Sequence, residues 1–209
     1  MKAVRFHEYG DASVLRVEDV PKPEPGPDEV LIRTAAAGVN PIDWKVRAGM
    51  MRAMRPYRLP LIPGWDVAGI VEQAGPLARF HPGDAVFGRT DAMRDGTYAE
   101  FVCARSQEIA RAPASLPLIH AAAVPLAALT AWMCLFDKLD LRAGEHVLIH
   151  AASGGVGGFA VQLAHLAGLR VTATCSGANA AYVRSLGADQ VIDHTAEDFA
   201  QRLSGLDAV

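Results

Sequence analysis

A glycine-rich turn between a strand pattern and a helix pattern carries the residue types in this sequence that could do chemistry. The turn runs from Ala152 and Ser153 through Gly154 to Gly157, directly after an apolar run. Gly154 is expected to let the chain turn off the strand, and Gly157 to let helix and strand pack closely. A dinucleotide pyrophosphate would then lie on bare N–H groups at the positive end of the helix.

This prediction depends on context, because the first glycine of the usual G-x-G-x-x-G pattern is Ala152 here. Gly155 and Val156 are the residues whose backbone N–H groups we expect to face a diphosphate, with the helix starting near Gly155. The alternative is a glycine turn with only a structural role. The strand before and the helix after favour dinucleotide binding.

The composition of the whole chain excludes several classes of partner. The 209 residues are 51% hydrophobic, which is enough for one large domain or two small ones, and the net charge is −3. Such a balance offers no basic face to nucleic acid or to anionic lipid. The longest apolar stretch, 121–136, contains Pro125 and is too short to cross a bilayer. We therefore expect a cytoplasmic protein without nucleic-acid or membrane partners.

Cysteine and histidine spacing gives no sign of a metal site. Cys103, Cys134 and Cys175 lie far apart, without a C-x-x-C pair, and are expected to be small buried apolar residues. The seven histidines are dispersed as well, and His146 and His150 flank a strand pattern. We expect these histidines to be packed or solvated, and we expect no residue of the chain to bind a metal.

The elements that must position the turn fall into two parts of the chain. Residues 1–116 form short strand patterns separated by proline and glycine, and one helical turn at 41–48 with Asn40 as its N-cap and Pro41 at its first position. The predicted strands are 2–6, 14–19, 29–37, 66–72, 85–88 and 97–104. This part should be a mostly-β, barrel-like domain.

Residues 117–209 change to alternating helices and strands. The predicted helices are 127–137, 155–167, 178–186 and 196–203, and the predicted strands are 146–152, 170–175 and 190–193, with another beginning at 207. Three successive βα units predict a parallel, doubly wound sheet, so the fold class is α/β. Because the chain stops as a fourth strand starts, we expect it to derive from a longer polypeptide.

Seven stretches together resemble the medium-chain dehydrogenase/reductase superfamily, and within it the zinc-independent quinone oxidoreductase branch. They are 37–45, 63–69, 83–88, 96–102, 122–132, the glycine turn and 186–193, in the family order. The resemblance implies a GroES-like domain at 1–116, followed by the first part of a Rossmann nucleotide-binding domain at 117–209. It also implies a longer full-length protein that is a homodimer.

Departures from the zinc-dependent members of that superfamily are informative. Those relatives place a catalytic cysteine where this chain has Asn40, and Gly-His-Glu where it has Gly64, Trp65 and Asp66. Without a thiolate and an imidazole, zinc cannot be held to polarise an alcohol oxygen. The resemblance therefore implies hydride transfer from a nicotinamide to a quinone or a similar conjugated carbonyl, which already delocalises the added charge.

The resemblance also implies roles for four residues on the acceptor side. Asn40 would line the pocket where the carbonyl lies, with Asp43 and Lys45 nearby, and Thr130 would touch the nicotinamide ring. Asn40 could instead be only the helix N-cap, and Thr130 could bond to its own helix backbone. Asp43 and Lys45 could be ordinary surface charges.

The loop after the second predicted strand of the nucleotide domain bears on the choice of cofactor. NAD-specific folds place an acidic residue there, whereas this chain has Ser176 and Asn179, which could donate hydrogen bonds to a 2′-phosphate. This predicts NADPH over NADH. Relatives often have a lysine near Asn179 and a tyrosine at the position of His194, so Arg184 could supply the cation here. The alternative is an ordinary loop that starts a helix.

Three functions fit these residues. The first is an NADPH-dependent quinone reductase, and the second is an alkenal or enoyl double-bond reductase of the same fold. The third is a non-catalytic module, because half of a cofactor-binding domain is absent. Fold analogy alone does not choose the substrate.

Overall fold

Short strands with alternating burial make up the first part of the molecule. The computed structural model describes residues 1–209 except for the side chain of Gln201, and its contacts divide the chain into two units, Met1–Leu126 and Ala127–Val209. In the first unit the strands are β1 (Lys2–Arg5), β2 (Arg16–Asp19), β3 (Glu29–Gly38), β4 (Asp66–Ala74), β5 (Ala85–Arg89), β6 (Phe101–Arg105) and β7 (Ile109–Arg111).

These strands form two antiparallel sheets. β1 pairs with β2, and the other five lie in the order β6-β3-β4-β5-β7. Inward-facing valines and isoleucines of the larger sheet form a core that includes Val30, Ile32, Val67 and Val86. β5 and β6 show the period-two burial that an alternating sequence pattern predicts, whereas residues 30–32 of β3 and 66–69 of β4 are buried in succession.

The pairing of β3 with β4 contains two irregularities. The register shifts between Leu31 and Ile32 and again between Thr34 and Ala36, and the strands end with Gly38 opposite Asp66. Each shift is a β-bulge, in which one extra residue on one strand is left without a partner. The second bulge leaves Ala35 as the extra residue, and it sets the register that brings the end of β3 to the start of β4.

A short helix, α1 (Pro41–Arg47), follows β3 directly. Asn40 is its N-cap and Pro41 its first residue, as predicted, because proline lacks only an N–H that a first turn leaves unpaired. Val46 packs into a cluster that contains Phe6 and Trp65. The helix therefore anchors the segment that carries Asn40.

Residues 117–126 pack with the first unit. The helix α2 (Leu118–Ala121) contributes Ala121 to a cluster with Ala122 and Ala68 of β4. The contact division consequently falls after Leu126. The functional domain boundary between residues 116 and 117 stays a prediction.

The second unit is a parallel sheet with helices. Its elements are α3 (Pro125–Trp132), which starts just before the unit, a π-helical segment at Met133–Lys138, β8 (His146–Ile149), α4 (Gly155–Leu166), β9 (Arg170–Cys175), α5 (Ala180–Ser185), β10 (Gln190–Asp193) and α6 (Phe199–Arg202). The strand order is β10-β9-β8, and Ala208 bridges Val147 in parallel. The predicted α/β class, with a β-rich domain and a parallel sheet, is confirmed.

Several predicted element bounds were wrong for local reasons. β8 ends at Ile149, not at 152, because Ala151 adopts a left-handed conformation with φ 49°. β6 begins at Phe101, not at 97, since Tyr98 N–H donates to Pro63 O of a distant loop and not to a neighbouring strand. The helix predicted at 196–203 begins only at Phe199, after Asp198 caps the Ala200 N–H. β7 and α2 were not predicted.

The cysteine prediction was partly wrong. Cys175 is buried, as expected, but Cys103 is only partly buried and Cys134 is exposed. His146 and His150 hydrogen-bond to Thr172 and Thr174, at 2.8 Å and 3.0 Å respectively, which agrees with packed roles. Among the described residues, no helix has both the length and the apolar character needed to cross a membrane.

Candidate active site

The glycine turn connects β8 to α4 in the second unit. The first helical hydrogen bond runs from Gly158 N–H to Gly154 O at 2.8 Å, so the amides of Gly155, Val156 and Gly157 precede the helical ladder. Amides at this position have no carbonyl one turn earlier to bond. The N–H groups of Gly155 and Val156 are the two that the sequence predicted would face a phosphate.

The sharp turn itself is made by a different residue from the one predicted. Gly154 has φ −81°, which any residue adopts, whereas Ala151 carries the positive φ. Gly154 N–H donates to Ala151 O at 2.9 Å and closes the turn. The predicted turning role of Gly154 was therefore wrong.

Gly157 has the close-packing role that was predicted. A Cβ on this residue would lie 2.3 Å from Ala151 O and 2.8 Å from Ala152 Cα, and both are backbone atoms that cannot move aside. Ala152 is fully buried, and its N–H donates to Thr174 O at 3.0 Å. Ser153 lies between them and is half-buried. The turn is thus held between α4 and β9.

Residues at the carboxyl ends of β9 and β10 form the second part of this region. Asn179 Nδ2 donates to Ser176 Oγ at 3.1 Å, and His194 N–H donates to Cys175 O at 3.2 Å. Asn179 and His194 are exposed. Ser176, Asn179 and His194 therefore share one edge of the sheet.

A carboxylate that sequence reasoning missed belongs to the same edge. Asp193 Oδ1 accepts hydrogen bonds from Thr195 N–H at 2.9 Å and Thr195 Oγ1 at 2.7 Å. These donors hold the pKa of Asp193 below its usual range. Its Oδ2 lies 2.4 Å from the place a Cβ would take on Gly177. The parallel pairing of β9 with β10, with Asp193 opposite Cys175, is the signal that could have placed it here.

Two charges lie close to the end of β9. Burial raises the pKa of the Cys175 thiol, the negative charge of Asp193 raises it further, and the positive charge of Arg184 opposes both. Arg184 lies in the last turn of α5 and is exposed. A cation is therefore present near the loop, as the sequence analysis suggested.

In the first unit, Asn40 lies between two buried carboxylates. Asn40 Nδ2 donates to Asp66 Oδ2 at 2.9 Å, and Asn40 N–H donates to Asp43 Oδ2 at 2.7 Å. The second oxygen of Asp66 accepts the N–H of Leu126 at 3.0 Å. The β3–β4 register, with Gly38 opposite Asp66, brings these residues together.

Asp43 is not a surface charge, because it is only 5% exposed. Tyr98 OH donates to Asp43 Oδ2 at 2.7 Å. Burial raises the pKa of Asp43, although the two hydrogen bonds partly oppose this. Burial and the hydrogen bond to Asp43 likewise raise the pKa of Tyr98. Sequence reasoning missed Tyr98, which the run 96–102 supplies from a different part of the chain.

Asp66 is the more perturbed of the two acids. It is 1% exposed, and burial raises its pKa to about 6, against the lowering effect of the Asn40 and Leu126 hydrogen bonds. The charge of Asp43 raises it further, and Arg89 lowers it. Its ionisation is therefore balanced close to neutral pH.

A small cavity of about 190 Å³ opens beside this cluster. Its polar lining residues are Asn40, Asp43, Arg47 and Tyr98, and its other lining residues are Leu15, Val39, Trp44 and Pro63. A space with mostly apolar walls and a few convergent polar groups suits a small, flat acceptor.

Lys45 does not join the cluster around Asn40. The Lys45 ammonium lies 5.8 Å from the centre of the Trp44 ring, and Lys45 does not line the cavity. Thr130 is an exposed residue of α3, in the second unit. Their roles stay predictions.

The side chains near Asn40 are a poor ligand set for a metal. Trp65 is 1% exposed, and its indole nitrogen can only donate. Within the described residues, no group of three or more His, Cys, Asp or Glu side chains could hold a metal ion. Among the described residues, the buried side-chain atoms without a hydrogen-bond partner include Asp43 Oδ1, Trp65 Nε1 and Thr97 Oγ1.

Comparison with known proteins agrees with this architecture. The family model of the alcohol dehydrogenase GroES-like domain matches residues 26–114, and that of the zinc-binding dehydrogenase matches 155–207. A chloroplastic quinone-oxidoreductase homolog of Spinacia oleracea is 40% identical over 98% of this chain and 64% of its own length. A 2-methylene-furan-3-one reductase of Solanum lycopersicum is 37% identical over 100% of this chain and 56% of its own.

Solved structures of similar proteins have the same fold. The crystal structure of Escherichia coli quinone oxidoreductase complexed with NADPH has a TM-score of 0.85 and 30% identity, over 97% of this chain and 61% of that one. The chain thus spans less than two thirds of the length of these relatives. With both family models in order along it, the chain belongs to the medium-chain dehydrogenase/reductase superfamily and is similar to its quinone oxidoreductases.

Proposed function

We propose that this protein is a zinc-independent, NADPH-dependent oxidoreductase that transfers hydride to a quinone or a similar conjugated carbonyl. The observation that carries the proposal is the Asn40–Asp66 hydrogen bond of 2.9 Å, at the positions where zinc-dependent relatives hold their metal. An amide N–H there can stabilise developing negative charge on a carbonyl oxygen without a metal.

The glycine turn supports a nicotinamide dinucleotide as the cofactor. The amides of Gly155, Val156 and Gly157 lie at the start of the twelve-residue helix α4, and the absence of a side chain on Gly155 leaves its backbone open to a phosphate. Bound NADPH would supply the hydride. The Escherichia coli relative, crystallised with NADPH, supports the same class of cofactor.

The edge formed by β9 and β10 supports a preference for NADPH over NADH. Ser176 and Asn179 are neutral donors at the end of β9, and Arg184 provides a positive charge nearby. The negative charge of Asp193 opposes the binding of a 2′-phosphate. Thr195, however, already donates two hydrogen bonds to Oδ1 of this carboxylate. We therefore propose that Ser176, Asn179, Arg184 and His194 hold the 2′-phosphate.

On the acceptor side, we propose that Asn40 is a catalytic residue. Its carboxamide donates to the oxygen on which negative charge develops, and the apolar walls of the neighbouring cavity exclude water. Asp43 fixes the start of α1 by accepting the Asn40 N–H. Lys45 and Thr130 are proposed to lie near the acceptor and the nicotinamide ring, as the family resemblance implies.

The decisive experiment is an acceptor panel with the purified protein. We expect quinones to oxidise NADPH, followed at the cofactor absorbance, and we expect an excess of EDTA to leave the rate unchanged. A rate that disappears with EDTA and returns with zinc would contradict the metal-free mechanism. Comparable Michaelis constants for NADPH and NADH would contradict the cofactor preference.

Two substitutions test the residue assignments in the same assay. Asn40→Ala and Thr130→Ala should each lower turnover, and the loss for Asn40→Ala should be on the order of 10²-fold if it donates to the oxyanion. Unchanged turnover in both would remove the assignments. Asp84→Asn is a suitable control, because Asp84 is a carboxylate outside the cluster that accepts the His81 N–H.

A second candidate is reduction of an alkenal or enoyl double bond. The relative from Solanum lycopersicum is called 2-methylene-furan-3-one reductase, and a conjugated enone presents the same carbonyl oxygen to Asn40 as a quinone does. Product analysis separates the two candidates, since an enone yields a saturated ketone and a quinone yields a hydroquinone. Absence of turnover with both acceptor classes would favour the non-catalytic alternative.

Location and assembly are also part of the proposal. The composition supports a cytoplasmic protein without nucleic-acid or membrane partners, although several relatives carry the descriptions chloroplastic or mitochondrial. We propose a homodimer for the full-length protein, by family resemblance. Sedimentation equilibrium tests the dimer, and a monomer across the micromolar range would contradict it.

A further inference from the structure

The Asn40 carboxamide lies against a buried carboxylate, Asp66, that can determine its orientation. Asp66 Oδ2 lies 2.9 Å from Asn40 Nδ2. An ionised carboxylate only accepts hydrogen bonds, so the nitrogen end of the amide must face Asp66 and the oxygen end must face away. One N–H of Asn40 is then used by Asp66, and the other remains for a ligand.

Asp66 is itself held rigidly. Its Oδ1 accepts the Leu126 N–H at 3.0 Å, so both oxygens are engaged. Gly38 lies against its side chain, since a Cβ on Gly38 would lie 2.8 Å from Asp66 Cβ. The carboxylate is therefore fixed on three sides, and it can impose a direction on the more exposed Asn40.

We infer that Asp66 is a positioning residue, which sets the Asn40 carboxamide so that its second N–H is directed to the oxygen of the bound acceptor. The inference rests on the proposed function, because it assigns the oxyanion donor of that reaction. Asp66 touches neither acceptor nor cofactor in this assignment, and acts only through Asn40.

The orientation should depend on the ionisation of Asp66. Once protonated, its carboxyl group can donate as well as accept, and the amide is no longer forced to present its nitrogen. The negative charge of Asp43 disfavours this ionisation. The positive charge of Arg89 and the hydrogen bonds from Asn40 and Leu126 favour it. Since burial raises the pKa to about 6, the change should occur in an accessible pH range.

Kinetics of two variants give the first test. Asp66→Asn keeps the size of the side chain but offers an NH₂ group. The Asn40 carboxamide can then flip, so that its oxygen and not its nitrogen faces residue 66. We expect kcat to fall by about 10- to 100-fold, with the acceptor KM changed by less than about twofold. Asp66→Glu retains a carboxylate and should recover part of the loss. An Asp66→Asn protein with wild-type kcat would overturn the inference.

The pH profile separates orientation from a merely structural role. The wild-type kcat should decrease below about pH 6, and this decrease should disappear in Asp66→Asn. A uniform loss with an unchanged pH profile would contradict the inference. Asp84→Asn, the matched control, should keep both the rate and the profile of the wild type.

A spectroscopic measurement makes the inference independent of activity. In the wild-type protein, the side-chain amide resonances of Asn40 should shift with pH, with a midpoint near 6, and no variant is needed to see this. If those resonances do not titrate, the inference fails whether or not Asp66→Asn folds. If they titrate but no acceptor is reduced, the proposed function fails and the Asp66–Asn40 coupling stands.

Discussion

The phenol of Tyr98 and the backbone N–H of Asn40 donate to the same oxygen of Asp43, each at 2.7 Å. One buried carboxylate oxygen thus joins the loop before β6 to the first turn of α1. The other oxygen of Asp43 is buried without a partner among the described residues, so the stability of this carboxylate depends on the two donors.

Removal of the phenol hydroxyl should destabilise the protein. Tyr98→Phe keeps the ring that packs against Gly64 but leaves Asp43 with one donor, which should cost about 1–3 kcal/mol of unfolding free energy. Urea unfolding at pH 7.5 measures this. Tyr182→Phe, on a side chain that is 52% exposed, is the control and should change little; equal effects in the two variants would contradict the argument.

Asp66 should make the stability of the protein fall as pH rises. Its pKa is about 6 in the folded protein and 3.8 ordinarily, so the folded state holds more protons between these values. Stability is therefore lost from about pH 4 to pH 6 and stays lower above that range, by about 3 kcal/mol at most.

The matched variant isolates this effect. Asp66→Asn removes the titration, so its stability relative to wild type should increase between pH 4.5 and pH 8 by about 2 kcal/mol. Chemical unfolding of both proteins at the two pH values measures the change. A difference that stays constant with pH would show that the buried carboxyl group does not titrate in this range.

Two glycines of the glycine turn should respond differently to substitution by alanine. In Gly157→Ala, the new Cβ meets Ala151 O at 2.3 Å, so the backbone must shift at a cost of about 1–3 kcal/mol. In Gly155→Ala, the nearest atom is Ala127 Cβ at 3.9 Å, which is ordinary contact. Thermal unfolding should rank them, and calorimetry with NADPH should show weaker binding for Gly157→Ala. Equal stability of the two variants would count against the close packing of the turn.

A new carboxylate at the end of β9 should reverse the cofactor preference. Ser176→Asp places a negative charge where we propose the 2′-phosphate binds, so the Kd for NADPH should rise by about tenfold or more, while that for NADH changes little. Titration calorimetry with both nucleotides measures the ratio. Ser185→Asp, at the end of α5, is the control. A ratio unchanged in Ser176→Asp would remove this loop from the phosphate site.

The sequence predicted some elements well because their local signals were strong. β9 and β10 have their predicted bounds, since each is a short run with β-branched residues between turn residues. β7 was missed because only Ile109 of its three residues is buried, which is too short for a period. The end of β8 was misplaced because nothing in the type of Ala151 indicates a positive φ.

Only part of the candidate site could be predicted from the sequence, because some of its contacts join distant segments of the chain. Asn40 and Asp43 lie on one helical turn, and the distance between them follows from local geometry. Asp66 is 26 residues from Asn40 and Tyr98 is 55 residues from Asp43, so both contacts depend on the pairing of distant strands. The available signal for Asp66 was an acidic residue at the start of a predicted strand, 66–72. From the sequence, that residue is interpreted only as a departure from the zinc-binding pattern.

The bulge at Ala35 makes the site sensitive to an insertion in β3. Because the strand already carries one extra residue there, deletion of one residue can be absorbed by loss of the bulge. Insertion of one residue between Thr34 and Gly38 would instead shift the end of β3 by one position and reverse its side-chain directions relative to β4, which would separate Asn40 from Asp66. Lengthening this segment should therefore disturb the site more than shortening it by one residue.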